Sequence, residues 1–218
     1  RAADLAPVPP PAGATVLFEG KNFDGWSGTG GQPAGWTLTG DGAMEVAPGK
    51  GSIMTREAFG DVTLHIEFRT PSMPDAKGQA RGNSGVYLQG RYEVQVLDSH
   101  GEPPAKNGCG AIYGIAAPAT NVCAPPTAWQ AYDIDFTAPC FDAAAKKTAN
   151  ARMTVRHNGV LIHENVEVPG PTVAALYRDE SSAGGGLMLQ DHGNKVQYRN
   201  VWLVRKAAAV AAKPEEKK

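Results

Sequence analysis

Apolar and polar residues alternate along most of the chain, in short runs that end at Gly, Pro, Asn or Asp. A period of two is the pattern of a strand with one buried side, and no run sustains the period of an amphipathic helix. In DVTLHIEFRT, Leu64, Ile66 and Phe68 fall on one side and His65, Glu67 and Arg69 on the other. AYDIDFTAP repeats the arrangement, with Tyr132, Ile134 and Phe136 against Asp133 and Asp135. Val16 to Phe18 opens the series, Gly40-Asp41-Gly42 separates two short strands, and Asn158-Gly159 is a two-residue type I′ hairpin turn. A turn at His192-Gly193-Asn194 lies among the closing strands, and the Ala/Lys-rich FDAAAKKTAN predicts a few helical turns. Residues 99–128 form one long connection, a length that in a compact domain usually carries function or is disordered. About a dozen short strands without βαβ spacing predict an all-β fold, an antiparallel β-sandwich or jelly roll.

The stretch SGVYLQGRYEVQVLDSHG, Ser84 to Gly101, predicts a hairpin around Gly90. A two-residue loop would mix apolar and polar residues on each side. A three-residue loop, Gln89-Gly90-Arg91, pairs Leu88 with Tyr92 and lets Gly90 take a left-handed conformation. It gathers Val86, Leu88, Tyr92, Val94 and Val96 on one side, and burial should select it because a one-residue slip moves every side chain across the sheet. The opposite side then holds Tyr87, Glu93 and Gln95, with the row His65, Glu67 and Arg69 expected near it across one groove.

Composition agrees with many strands and turns: 26 Gly and 17 Pro in 218 residues, 42% hydrophobic and 20% charged. The formal net charge is −1 without a basic run in the body, which argues against nucleic acid as a partner. No apolar stretch approaches the roughly 20 residues of a membrane-spanning helix. The Pro/Ala-rich start and Ala/Lys tail read as flexible ends, giving a leader 1–13, one domain over 14–205 and a tail 206–218. A first residue other than Met gives the expectation of an exported protein with its signal peptide removed. Export would permit a Cys109–Cys123 disulfide across the long loop, with Cys140 left over. No CxxC pair offers a structural zinc site.

The segments LFEGKNFDGW, NSGVYLQGRYEVQVLDS, CGAIYG, FTAPCFD, VRHNGVLIHENVEVPGPT and LMLQDHGNKVQYRNVWL occur in this order between Ala14 and Val204. Together they resemble the 3-keto-disaccharide hydrolase domain family. The resemblance implies a concanavalin-like lectin/glucanase jelly roll, export by bacteria, and cleavage of glycosides whose sugar is oxidised at C3. By position it carries over Glu67, Arg69, Asn83, Ser84, Glu93, Gln95, Asp98, Tyr113, Gln190, Asp191 and His192.

Lectin-fold glucanases with this kind of sheet use an E-x-D-x-x-E strand. The matching stretch here runs from Glu93 to Asp98, with Gln95 in place of the middle carboxylate. A retaining mechanism needs two carboxyls roughly 5 Å apart, and the strand no longer promises them. A 3-keto sugar offers elimination instead, in which a base removes the acidified C2 proton, the C1 substituent leaves and water adds afterwards. Glu93 or Glu67 is the expected base, Arg69 and Gln95 the holders of the enolate oxygen, and His192 or Asp98 the acid. Asn83, Tyr113, Trp129, Gln190 and Asp191 complete the expected sugar contacts. No cofactor is expected; Asp98, Asp191, His192 and Glu67 are the residues that would hold Ca²⁺ if the site used one. The expected partner is a carbohydrate or glycoside. The rival readings are a non-catalytic carbohydrate-binding module, for which Trp129, Tyr113 and Tyr87 would be platforms, and a structural or adhesion domain.

Overall fold

The computed structural model describes residues 5–206. The alternating segments form the strands β1 (Thr15–Phe18), β2 (Trp26–Gly28), β3 (Thr37–Leu38), β4 (Met44–Glu45), β5 (Ile53–Thr55), β6 (Val62–Arg69), β7 (Ser84–Leu88) and β8 (Tyr92–Val96). They continue as β9 (Gln130–Thr137), β10 (Cys140–Phe141), β11 (Lys147–Ala149), β12 (Ala151–His157), β13 (Val160–Val168), β14 (Met188–Leu189) and β15 (Gln197–Arg205). Among the described residues the one helical element is a 3₁₀ turn, Gly78–Ala80. No helix there is long and apolar enough to cross a membrane.

Two antiparallel sheets face each other. The larger runs β13-β12-β9-β6-β15-β4-β3, with β1 also paired to β15; the smaller runs β2-β5-β14-β7-β8. Between them lie Leu64, Ile66 and Phe68 of β6, Tyr132, Ile134 and Phe136 of β9, and Val86, Leu88, Tyr92, Val94 and Val96 of the β7–β8 hairpin. The hairpin register is the one that burial selects: Leu88 pairs with Tyr92, Val86 with Val94 and Tyr87 with Glu93. Gln89 and Gly90 both take positive φ, 56° and 63°, so Gly90 is left-handed as expected and Gln89 shares the strain of the loop. Asn158 and Gly159 likewise have φ of 51° and 78°, as a type I′ turn requires.

Three expectations are corrected. The helical turns expected in the 140s are a hairpin, β10 with β11, because the segment is too short to offset helix nucleation and Asp142 Oδ1 accepts the backbone N–H groups of Ala144 and Lys146. The Cys109–Cys123 disulfide is not formed. Cys109 and Cys123 are free thiols hydrogen-bonded to each other, with Tyr132 OH 3.1 Å from Cys109 Sγ and the carbonyls of Leu97 and Ala124 3.4 Å from Cys123 Sγ. The leader is docked over part of its length: Val8 N–H donates to Glu67 Oε1, and the Val8 carbonyl accepts from Asn200 and Trp202. Residues 1–4 of the leader and the expected tail beyond Lys206 lie outside the described residues.

This docking covers a charged network on the outer side of the larger sheet. Glu67 is fully buried, accepting from Arg199 Nε at 2.7 Å and Asn200 Nδ2 at 2.7 Å. His65 lies between Asp133, at 2.6 Å, and Glu67, at 3.4 Å, and stacks on Trp202. Burial opposes the charge on His65, but its hydrogen bonds to the two carboxylates outweigh it and raise the imidazole to about 9. Burial also disfavours charged Glu67, yet its donors hold it at about 2.

A histidine raised in the folded state stabilises the fold fully below its unfolded value near 6.5, and that contribution falls away as pH rises through about 9. Glu67 contributes above its unfolded value and loses this only as pH falls towards 2. His65→Gln is therefore expected to cost about 3 kcal/mol near pH 6 and to remove much of the wild-type decline in stability on the alkaline side. Urea denaturation over a pH series measures both; a wild-type stability that stays flat from pH 6.5 to 9 contradicts the assignment.

Candidate active site

The outward side of the smaller sheet is where the hairpin places its polar residues. Tyr87, Glu93 and Gln95 point away from the core but are almost fully buried, because loops fold over them. Two loops also close the free edge of β8. Glu93 O accepts from Tyr113 N and Gln95 pairs with residues 110 and 111, while Glu93 N–H donates to Thr172 Oγ1. The edge is thereby satisfied, and Tyr113 is fixed beside Glu93. Ser84 Oγ donates to the Gln190 carbonyl at 2.6 Å, holding the chain after β14 against the start of β7.

These elements border a pocket lined by Gln79, Asn83, Glu93, Gln95, Tyr113, Val173, Ala174, Gln190 and His192. Of the expected site residues, Glu93, Asn83, Gln95, Tyr113, Gln190 and His192 meet here, His192 at the exposed rim. Gln79, from the 3₁₀ turn, and Val173 and Ala174, from the loop after β13, were not legible as site residues; periodicity says nothing of loop positions. Gly85 carried a signal, since a glycine inside a strand often marks a close approach. A Cβ there would stand 2.5 Å from Glu93 Oε1 and 2.6 Å from Tyr87 Cε2, so the carboxyl occupies the space the missing side chain leaves.

The other expected residues lie elsewhere. Glu67 and Arg69 belong to the larger sheet and point to its outer side, so they do not share a groove with Glu93. Glu67 is held by Arg199, Asn200 and the leader, and Arg69 reaches Gln197 at 2.5 Å and Asp41 at 2.8 Å. Trp129 lies between the guanidinium groups of Arg69 and Arg199, 4.5 and 4.1 Å from its ring centroid, and offers no platform in the pocket. Asp98 faces Arg81, with Oδ2 3.3 Å from Nε. Asp191 is a turn residue: Oδ2 accepts from Gly49 and Gly51 N–H, and Oδ1 from Gly193 N–H. Glu67, Asp98, Asp191 and His192 thus do not converge on a common centre for Ca²⁺.

Glu93 is 2% exposed, and neither Lys nor Arg lines its pocket among the described residues. Desolvation raises its carboxyl to about 7, with a hydrogen bond from Tyr87, its cross-strand partner, offsetting part of the effect. Tyr87 in turn accepts from Gln190 Nε2 at 3.0 Å, so the order of donors runs Gln190, Tyr87, Glu93. A carboxyl near neutrality in a pocket is suited to take a proton and return it.

The same burial makes Glu93 a destabilising residue once ionised. A carboxyl raised in the fold lowers stability as pH climbs from its unfolded value near 4.5 through about 7. Glu93→Gln is expected to be more stable than wild type at pH 8 by up to about 3 kcal/mol, and by much less at pH 5. Denaturation at the two pH values measures the difference; equal offsets contradict the burial argument.

The fold is that of the concanavalin-like lectins. The carbohydrate recognition domain of Emp46p superposes with a TM-score of 0.50 over 84% of this chain and 90% of its own, at 11% identity. A candidate glycosyl hydrolase from Parabacteroides distasonis ATCC 8503 is 33% identical, with a TM-score of 0.82 over 94% of this chain and 95% of its own. A second from that organism is 23% identical, with a TM-score of 0.63 over 89% of this chain and 94% of its own. No curated protein matches the chain significantly. Residues 13–204 match the model of one carbohydrate-active family, and the chain belongs to it: the 3-keto-α-glucoside-1,2-lyase-like domains.

Proposed function

We propose that the chain cleaves glycosides oxidised at C3 by elimination, with Glu93 as the base. One observation carries this reading: among the described residues the pocket is lined by a single carboxylate, Glu93, raised to about 7 by burial. Direct displacement at C1 would require a partner carboxyl, at roughly 5 Å for retention or somewhat farther for inversion. Elimination requires one base and donors.

In the proposed sequence, the C3 ketone acidifies the C2–H bond and Glu93 takes the proton. The electron pair moves into the C2–C3 bond and charge collects on the C3 oxygen. It then returns to form the C1–C2 double bond as the C1–O bond breaks, and the leaving alkoxide takes a proton. Tyr113 OH and the His192 imidazole are the donors in the pocket for these two oxygens. Gln95 is not one of them, because its Nε2 is engaged by Gln79 and Asn107. The earlier expectation of Arg69 as enolate holder is replaced accordingly. Addition of water to the enone yields the free 3-keto sugar, so the net outcome equals hydrolysis.

Turnover of matched glucosides with and without a 3-keto group tests the reading. Only the keto form should react, with kcat/KM rising with pH through about 7. Glu93→Gln should lose at least about 100-fold in kcat while binding the keto sugar. Unchanged turnover by this variant contradicts the assignment of the base. Binding without any turnover by the wild type points to a carbohydrate-binding module. Gly85→Ala should also lower turnover, on the order of 100-fold, because its Cβ displaces the Glu93 carboxyl while the strand pairing survives.

A further inference from the structure

The pocket carries a pattern of hydrogen-bond capacity that bears on which sugars it accepts. Gln79 Oε1 accepts from Gln95 Nε2 at 3.1 Å and from Asn83 Nδ2 at 3.3 Å, while its own Nε2 donates to the Asn107 carbonyl at 2.9 Å. Asn83 Nδ2 also donates to the Gln79 carbonyl at 2.8 Å, and Gln95 Nε2 to the Asn107 carbonyl at 3.4 Å. Backbone carbonyls only accept, so these bonds fix which end of each amide is nitrogen; a flip would set oxygen against oxygen. Gln190 Nε2 donates to the Tyr87 hydroxyl, whose own hydrogen goes to ionised Glu93, and this order sets the direction of the Gln190 amide. The three amide oxygens, Asn83 Oδ1, Gln95 Oε1 and Gln190 Oε1, are buried and have no donor among the described residues.

A buried acceptor left without a donor is costly, and three around one pocket are rarely accidental. Glu93, when ionised, adds a fourth acceptor to the same lining. Neither Lys nor Arg lines it among the described residues. A ligand that supplies hydroxyl donors satisfies this lining. A ligand that brings a carboxylate to these amides sets acceptor against acceptor beside an ionisable Glu, while the donors of the pocket, Tyr113 and His192, are assigned to the two reacting oxygens.

We propose that Asn83, Gln95 and Gln190, oriented by Gln79, make the pocket selective for a neutral, hydroxyl-bearing sugar ring and exclude the corresponding uronate. This rests on the reading that the pocket holds the reacting sugar. Gln79 is a positioning residue: it sets the direction of two amides rather than touching the sugar.

The test compares phenyl 3-keto-α-glucoside with phenyl 3-keto-α-glucuronide, which differ only at C6, on the full chain. Wild type should prefer the glucoside on the order of 100-fold in kcat/KM. Gln79→Leu, folded by its thermal melt, should reduce that ratio about 10-fold. Equal kcat/KM for the two sugars overturns the proposal, as does a ratio that Gln79→Leu leaves unchanged. Affinities for both sugars are measured separately on Glu93→Gln by calorimetry. If wild type turns over neither sugar but this variant still prefers the glucoside, the selectivity stands and the elimination reading fails. Turnover without discrimination has the opposite meaning, and no affinity for either sugar overturns the selectivity. Calorimetry with Ca²⁺ alone is the last arm: stoichiometric binding that Gln95→Met abolishes would assign the amide oxygens to a cation and overturn the proposal.

Discussion

The pairing of β7 with β8 decides what the molecule has inside it and what it presents to a ligand. With Leu88 opposite Tyr92, five apolar side chains enter the space between the sheets and Tyr87, Glu93 and Gln95 turn outward. One residue of slip would place a carboxyl in the core and remove it from the pocket. The three-residue loop and the positive φ values at Gln89 and Gly90 hold the register. Contacts outside the hairpin reinforce it, since Tyr113 N and Thr172 Oγ1 bond to the backbone of Glu93 itself.

Two glutamates of this chain show how environment, rather than residue type, assigns chemistry. Glu67 and Glu93 are both buried on strands and both point away from the core. Glu67 is given an arginine, an asparagine, a histidine and a backbone N–H, and stays ionised down to about pH 2. A carboxylate held that firmly by donors is a poor base. Glu93 is given a tyrosine hydroxyl and, among the described residues, neither Lys nor Arg in its pocket, and burial lifts it to about 7. The first arrangement stabilises the fold; the second gives up stability for a group that exchanges protons near neutrality.

Alternation along a strand tells which side chains share a side, and at that level the chain was legible. The hairpin register, the row His65, Glu67 and Arg69, and the Asn158-Gly159 turn all follow from period and turn chemistry. Alternation does not tell which of two stacked sheets a strand joins. For that reason Glu67 and Arg69 read as neighbours of Glu93 although β6 lies in the other sheet. Nor does it place loop residues: Tyr113 reached the candidate site through the resemblance and as an aromatic platform, and Gln79 not at all. Their positions depend on bonds from Tyr113 N–H to the Glu93 carbonyl and from Gln79 Nε2 to the Asn107 carbonyl, which join segments far apart in sequence. Asp98 and Asp191 read as site residues by position, but their charges are consumed by Arg81 and by turn N–H groups.

The energetic character of the pocket follows from the same bonds. Its amide nitrogens are spent on the protein, while the oxygens of Asn83, Gln95 and Gln190 have no donor among the described residues and lie next to a carboxyl that resists ionising. Both are costs the fold carries elsewhere, in the apolar layer beneath the hairpin and in the charged network under the leader. A ligand that brings hydroxyl donors relieves the first cost, and a proton drawn from it relieves the second. Hydroxyl binding and proton transfer therefore act on one lining, the first on the amide oxygens and the second on Glu93. That coupling is a stronger argument for a site that acts on its ligand than the presence of a carboxyl in a cleft would be.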